Sequence, residues 1–407
     1  MKKFAMLLFL LPASAALAAK VEPWVLPVSH SGAQPNLSVT ASGGLLLSWI
    51  ERDDGKGHRL QMAEYKSGRW GGVRNIAKGN DWFVNWADFP STTALPDGTL
   101  WAHYLLKRSA GTYAYDVMLK QSKDGGKSWS APVTAHNDGT ESEHGFVSLW
   151  PWSSSELAIA WLDGRDTAGA ASHDHNHNQH DAKAGVVKGM TLRAAVFGKS
   201  GKKAQEWQLD NLTCDCCQTD AALSDKGPIV IYRDRDANEI RDIYTTRYTG
   251  KAWSTGRAVV RDNWTMPACP VNGPAIAANG SQVWAAWYTG ADKKPSVRLA
   301  LSNNSGDSFQ TVKTIRQGNH IQGRIDVAAD AQGAWLLWAE ESAVQSLWLQ
   351  RFDRQLNAVG KSIQLAQLQG RGRATGFAKM QNTRDGLHIV WVDIIGGKPQ
   401  LKGALVH

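Results

Sequence analysis

The chain has 407 residues, with 45 Lys and Arg against 37 Asp and Glu and a formal net charge of +8. The basic excess is mild and no basic run alternates with aromatic residues, so composition gives no indication of nucleic-acid binding. Beyond the first 19 residues, no apolar run is long enough to cross a membrane.

The N-terminal segment has the three parts of a secretory signal peptide. Lys2 and Lys3 supply the charge, residues 4–11 are apolar, and Ala16-Leu17-Ala18 supplies the small residues of a cleavage site. We therefore expect residues 1–19 to be a signal peptide, residues 20–407 to be the mature domain, and the location to be periplasmic or secreted.

A short apolar strand that ends near an aromatic residue recurs along the chain at a period of roughly 50 residues. Its copies lie at residues 45–49, 100–104, 157–161, 229–232, 283–287, 335–338 and 389–392. Each is the second strand of a unit of four short strands, which predicts an all-β fold of seven propeller blades in one domain. The last unit has three strands, and residues 24–28 resemble residues 129–133, so the N-terminal strand is expected to close the ring and cover exposed sheet edges.

Two loops between third and fourth strands match the Asp-box pattern S-x-D-x-G-x-x-W. They lie at residues 122–129 and 302–309, and the second carries Asn304 and Phe309 in place of Asp and Trp. Asp accepts hydrogen bonds from turn amides and Gly tolerates positive φ, so these boxes are predicted to be structural turns. Strand order places them on the lower face of the propeller.

The loops between blades, and those between second and third strands, share the opposite, upper face. They contain many charged residues, and arginines that converge there from several blades would bind a carboxylate or sulfate. The candidate anion-binding residues are Arg165, Arg233, Arg235, Arg324 and His144. The candidate catalytic residues are Glu143, Asp163, Asp234 and Glu239 as acid or base and Tyr232 as nucleophile. Alternating Arg and Asp is equally typical of charges that pair with one another.

All four cysteines are predicted on the upper face. Cys214, Cys216 and Cys217 precede the first strand of blade four, and Cys269 has the equivalent place in blade five. In an exported protein two disulfides are expected, one of them joining Cys269 to the triplet. The alternative is a thiolate site for copper or zinc.

A histidine-rich insertion lies in an upper loop of blade three. It is interpreted as a solvated loop, with weak binding of metal by imidazoles as the alternative. Its histidines are His173, His175, His177 and His180.

Asp boxes, an export signal and a propeller together resemble the bacterial sialidase-like family of BNR-repeat proteins. The resemblance covers most of residues 20–407. The runs Cys-Asp-Cys-Cys-Gln-Thr at 214–219 and Cys-Pro-Val-Asn-Gly-Pro at 269–274 are similar to those of a branch described as exo-α-sialidases. The resemblance to sialidases implies a group of arginines that binds the substrate carboxylate, a Tyr nucleophile assisted by Glu, and an Asp that acts as acid and base. Sialidases have six blades, so a six-bladed sialidase-type propeller is the alternative fold.

Three functions follow as hypotheses. The first is an exported sialidase-like propeller that binds or hydrolyses an acidic glycan, or another small anionic ligand, in the upper central pocket without a required cofactor. The second is a periplasmic copper- or zinc-handling protein that uses the cysteines. The third is a non-catalytic scaffold for envelope proteins. Substrate, catalysis, cysteine connectivity and oligomeric state stay open at this stage.

Overall fold

A computed structural model describes residues 19–28, 31–52, 57–168 and 188–407. The predicted signal peptide up to residue 18 and the histidines of the insertion, His173, His175, His177 and His180, lie outside the described residues. In the described ranges the chain forms 29 strands and only three short 3₁₀ helices. None of the helices in these ranges has the length and apolar character of a membrane span.

The strands form seven antiparallel sheets arranged as propeller blades. Blade 1 contains β2 (Gly32–Val39), β3 (Leu45–Arg52), β4 (His58–Lys66), β5 (Arg69–Trp70) and β6 (Arg74–Gly79). Blade 2 contains β7 (Ser91–Ala94), β8 (Leu100–Lys107), β9 (Tyr115–Ser122) and β10 (Val133–Thr134). Blade 3 contains β11 (His144–Pro151), β12 (Leu157–Asp163), β13 (Thr191–Phe197) and β14 (Lys203–Asp210). Blade 4 contains β15 (Asp220–Ser224), β16 (Gly227–Arg233), β17 (Ile243–Arg247) and β18 (Arg257–Val260). Blade 5 contains β19 (Ala275–Asn279), β20 (Gln282–Thr289), β21 (Ser296–Ser302) and β22 (Thr311–Gln317).

Blades 6 and 7 complete the ring. Blade 6 contains β23 (Ile321–Asp330), β24 (Gly333–Glu341), β25 (Gln345–Asp353) and β26 (Ala358–Leu368). Blade 7 contains β27 (Lys379–Thr383), β28 (Gly386–Ile395) and β29 (Lys398–Val406), with β1 (Val21–Pro23) as its outer strand. The 3₁₀ helices are Arg165–Thr167, Ala291–Lys293 and Gly372–Thr375. First strands of successive blades contact one another around the ring, and β2 contacts β27.

The second strand of a blade is buried on both of its sheet faces because a neighbouring blade covers each face. Every residue of β12 is buried, and Trp49 and Trp284 in β3 and β20 are also fully buried. This explains why these strands are continuous apolar runs in the sequence instead of alternating polar and apolar residues.

The N-terminal strand closes the ring, as predicted, but it uses different residues. Val21 pairs with Val406 in β29, and the ladder continues where the Trp24 amide donates to the Gly403 carbonyl at 2.9 Å. The predicted strand at residues 24–28 is therefore displaced by three residues. Trp24 instead packs between blades 7 and 1, where its ring stacks on Trp70 at 4.9 Å. The seven-bladed prediction is confirmed and the six-bladed alternative is wrong.

The two Asp-box segments form the predicted turns. Asp124 accepts hydrogen bonds from the Ser122 hydroxyl at 2.8 Å and from the Ser128 amide and hydroxyl at 2.9 and 2.6 Å. Gly126 has a φ of +87°, which favours glycine. These hydrogen bonds give the Asp and Ser residues of the pattern a structural role in the turn.

Candidate functional site

A network of Tyr115, Asp88 and Glu143 lies near the upper face and joins blades 1, 2 and 3. The Tyr115 hydroxyl lies 2.6 Å from Glu143 Oε1 and 3.0 Å from Asp88 Oδ2, while the Phe146 amide donates to Asp88 Oδ1 at 2.8 Å. The Phe83 ring stacks on Tyr115 with centroids 4.0 Å apart. Tyr115 and Asp88 are buried, and Glu143 is the partly exposed residue of the network.

The surroundings of Glu143 favour its neutral form. Burial raises the pKa of Glu143 well above its ordinary value, and the nearby Asp88, Asp215 and Cys269 act in the same direction, against the hydrogen bond from Tyr115. Burial also raises the pKa of Asp88 to about 7. A carboxyl group that keeps its proton near neutral pH can donate it to a ligand.

Aromatic and cationic side chains lie beside Glu143. Burial, and next the negative charge of Glu143, raise the pKa of the Tyr113 phenol, whereas Arg373 lowers it. The charges of Glu143 and Arg373 therefore both act on the Tyr113 phenol. The Tyr113 ring centroid lies 6.2 Å from that of Phe83, which stacks on Tyr115. The Arg373 guanidinium lies 5.8 Å from the ring centroid of Trp86 and the residue is exposed. We call Tyr113, Glu143, Trp86 and Arg373 the central cluster.

Two of the predicted anion-binding arginines support backbone segments. Arg233 is buried and donates to the carbonyl oxygens of Asn272, Arg241 and Tyr288 at 2.7 to 3.1 Å. Arg324 donates to the Gly372 carbonyl at 2.7 Å and lies over Trp86. Both guanidinium groups therefore have structural partners, and Arg324 holds a loop of the central cluster in place.

The other two predicted arginines form ion pairs. Arg165 binds both oxygens of Asp163 at 2.7 Å, and Arg235 pairs with Glu239 and Asp215. The structure therefore does not bring the four arginines together around one anion. The alternative that these Arg and Asp residues pair with one another is the one that the geometry supports.

His144 and Asp163 belong to a buried cluster between blades 2 and 3. The His144 ring stacks on His136 at 3.5 Å, and His144 Nε2 lies 3.2 Å from Asp138 Oδ2 and 3.8 Å from Asp163 Oδ1. Asp163 also accepts from the Trp161 indole at 2.8 Å. His144 and Asp163 are fully buried, so this cluster lies beneath the solvent-accessible surface.

Tyr232 is also inaccessible. It is fully buried and its hydroxyl donates to Asp210 at 2.6 Å. This burial weighs against Tyr232 as a nucleophile.

Asp234 lines a cavity of about 620 Å³ between the upper loops of blades 3 and 4. Burial, followed by the charge of Asp210, raises the pKa of Asp234 to about 7. The charged residues in the lining are Asp166, Lys188, Asp210, Asp234, Arg235 and Asp236. Because carboxylates outnumber cations there, this cavity is poorly suited to an anion.

The four cysteines meet on the upper face. Cys214 and Cys217 form a disulfide, and the Sγ atoms of Cys214 and Cys216 lie 3.9 Å apart. The Cys216 thiol is also in hydrogen-bonding contact with Cys269, and this hydrogen bond is the main cause that lowers the pKa of Cys269. Cys216 and Cys269 are free, so the predicted disulfide between Cys269 and the triplet is not formed in the structure, and the disulfide present lies within the triplet.

Sequence reasoning did not select Arg241, Tyr115 or Asp88. Arg241 is fully buried, and its Nε and Nη1 atoms have no hydrogen-bond partner among the described residues. The Arg-Asp alternation at residues 233–242 pointed to this loop, but it did not indicate which arginine keeps unpaired donors.

No family model and no curated protein matches this chain. Among solved structures, an ulvan lyase of a polysaccharide lyase family is 11% identical over 79% of both chains, with a TM-score of 0.50. The Hadza microbial sialidase Hz136 is 15% identical over 76% of this chain and 63% of its own length, with a TM-score of 0.44. A NanB sialidase variant from Streptococcus pneumoniae is 10% identical over 89% of this chain and 83% of its own, with a TM-score of 0.48. At these identities the likeness concerns the propeller fold alone.

Proposed function

We propose that this protein is exported and binds an acidic glycan at the central cluster, with Glu143 as its proton donor. The observation that carries the proposal is the carboxyl of the partly exposed residue Glu143, which Tyr115 holds at 2.6 Å and whose pKa burial raises well above its ordinary value. A positioned carboxyl with a raised pKa is the group that protonates the leaving oxygen in glycoside cleavage.

The other members of the central cluster suit a sugar acid. Trp86 and Tyr113 offer aromatic surface, which typical ligand sites combine with a few polar groups. The exposed Arg373 guanidinium can form two parallel hydrogen bonds with a carboxylate or sulfate. The 620 Å³ cavity is less suitable because Asp166, Asp210, Asp234 and Asp236 would repel an anion.

The test is binding of the mature protein to a panel of acidic and neutral glycans. Arg373→Ala should weaken binding of acidic glycans by about tenfold or more, because the cation that faces the acid group is lost. The matched control is Arg371→Ala, since Arg371 is also exposed but pairs with Glu341 at 3.1 Å. The proposal fails if folded wild-type protein binds no acidic glycan, or if both variants bind as well as the wild type.

The role of Glu143 is tested separately by Glu143→Gln. Gln keeps an oxygen that can accept the Tyr115 hydrogen bond but has no acidic proton. If the site cleaves its glycan, hydrolysis should be lost while binding persists. Hydrolysis at the wild-type rate would remove Glu143 from the mechanism.

A further inference from the structure

The four sulfur atoms form a continuous series across two neighbouring upper loops. Cys217 is bonded to Cys214, Cys214 Sγ lies 3.9 Å from Cys216 Sγ, and Cys216 contacts Cys269. Cys214 and Cys217 are buried, whereas Cys216 and Cys269 are partly exposed. The series therefore runs from a buried disulfide to a pair of thiols that a reagent can reach.

Cationic groups flank the accessible end of this series. After the hydrogen bond with Cys216, the positive charges of Arg241 and Arg235 also lower the pKa of the Cys269 thiol. Arg235 pairs with Asp215 and Glu239, whereas Arg241 gives only Nη2 to Glu239, at 2.8 Å. A buried guanidinium with two unpaired nitrogen atoms is costly, and a thiolate nearby would offset part of that cost.

We propose that Cys216 and Cys269 are a redox-active pair that exchanges with the Cys214–Cys217 disulfide and with an external thiol of the glutathione class. This function is independent of glycan binding. A static brace would need only the covalent bonds, whereas exchange also needs a third sulfur next to the disulfide and a cation next to the attacking thiol. The third sulfur is Cys216, 3.9 Å from Cys214 Sγ, and the cations act on Cys269, the thiol that makes the second attack. Burial raises the pKa of Cys216, the thiol that makes the first attack, so this first step is the slower one.

The exchange has two internal steps. The Cys216 thiolate attacks Cys214 Sγ, a Cys214–Cys216 bond forms, and the Cys214–Cys217 bond breaks with Cys217 leaving as a thiolate. The Cys269 thiolate then attacks Cys216 Sγ and releases Cys214 as a thiolate. Cys214 and Cys217 take up the two protons that Cys216 and Cys269 lost, so one disulfide has moved and no electron has left the protein.

Two molecules of the external thiol complete a net reduction. One thiolate attacks the Cys216–Cys269 bond and forms a mixed disulfide, which the second thiolate displaces. The external thiols become one disulfide, and Cys216 and Cys269 become thiols. The reverse sequence oxidises the pair, so the direction depends on the ratio of external thiol to disulfide.

A copper or zinc site is the competing use of the same residues. Two of the four sulfurs are already bonded to each other, and the two guanidinium groups near Cys269 would repel a metal cation. These features favour exchange over metal binding.

The experiment equilibrates the mature protein in glutathione buffers of different redox ratio, quenches it by alkylation, and maps the disulfides by mass spectrometry. We expect both Cys214–Cys217 and Cys216–Cys269 to be found, with proportions that follow the buffer. Cys269→Ser should accumulate the Cys214–Cys216 intermediate because the second attack is blocked. Cys216→Ser, the matched variant, should keep Cys214–Cys217 at every ratio at which the wild type rearranges.

The contribution of Arg241 is measured by the rate of Cys269 alkylation in the folded protein. Arg241→Gln should slow it by about tenfold, since a less stabilised thiolate is less populated, while Arg247→Gln on the lower face should leave it unchanged. The Cys269→Ser variant, which should accumulate the Cys214–Cys216 intermediate, retains Arg241. It therefore tests the exchange even if Arg241→Gln fails to fold. One unvarying connectivity in all buffers would overturn the proposal in favour of bracing. Stoichiometric copper or zinc with unreactive cysteines would overturn it in favour of a metal site.

Discussion

Glu143 is held in an environment that opposes its ionisation. Its carboxyl is next to Asp88 and Asp215, and the Tyr115 hydroxyl provides one close hydrogen bond. The folded protein therefore retains a proton that the unfolded chain would lose. The same property that suits Glu143 to proton donation should make it costly to folding stability at higher pH.

Glu143→Gln should therefore stabilise the protein in a pH-dependent way. Below the ordinary pKa of 4.5 both states are protonated; as pH rises from there toward the folded-state pKa, only the unfolded state ionises and the free energy of unfolding falls. The loss is at most about 1.4 kcal/mol per pH unit. The difference in Tm between Glu143→Gln and wild type should grow as the pH rises above 4.5. Glu141→Gln, an exposed change in the same loop, is the control, and a difference that does not vary with pH would contradict the prediction.

The lower-face turns show how one element can tolerate a change of charge. Asn304 Oδ1 accepts from the Ser302 hydroxyl at 2.7 Å and from the Ser308 amide at 3.0 Å. Asp124 makes the same two kinds of hydrogen bond in the other turn. Both side chains thus act as acceptors for turn donors, and the negative charge is secondary.

Asp124→Ala should lower the Tm by a few degrees, because the Ser122 and Ser128 donors lose their acceptor. Asp124→Asn should remain near the wild-type Tm, since Asn304 supports the equivalent turn. Glycan binding by the folded fraction should be unchanged in both variants because the turn is on the lower face. Scanning calorimetry gives the comparison; equal losses in the two variants would mean that charge, and not the acceptor, stabilises the turn.

The elements were more predictable than the partners of their side chains. Strands pair within a blade with near neighbours in sequence, so apolar runs and turns predicted the seven blades. The closing strand was misplaced because residues 24–28 were matched to 129–133, yet in blade 2 only Val133 of that segment lies in the fourth strand, β10. Arg233 illustrates the limit for the site: two of its three acceptors, the carbonyls of Asn272 and Tyr288, lie on another blade or loop, and no local pattern specifies such contacts.

At the scale of the whole molecule, the ring depends on contacts between its two ends. β1 pairs with β29, and Trp24 packs against Trp70, Tyr65 and His388 from blades 1 and 7. The Trp70 indole also donates to the Val25 carbonyl at 2.8 Å. Closure therefore combines a backbone ladder with an aromatic cluster.

Trp24→Ala should destabilise the ring by about 3–5 kcal/mol, the usual cost of truncating a buried aromatic side chain. Trp24 is 6% exposed, whereas its neighbour Val25 is 82% exposed, so Val25→Ala is a matched control that keeps the backbone ladder. Urea unfolding followed by Trp fluorescence measures both free energies of unfolding. Equal stability of the two variants would show that the aromatic packing of Trp24 contributes little to closure.

The pairing of Val21 with Val406 also imposes an order on folding. Strands within blades 1 to 6 pair with near neighbours in sequence, whereas β1 has no partner until β29, at the other end of the chain, is available. Closing so long a loop carries a large entropic cost, and high contact order slows folding. During that delay the edge of β29 is available to another chain as well as to β1. Chain concentration during folding, more than the stability of the finished ring, then decides how much protein reaches the native state.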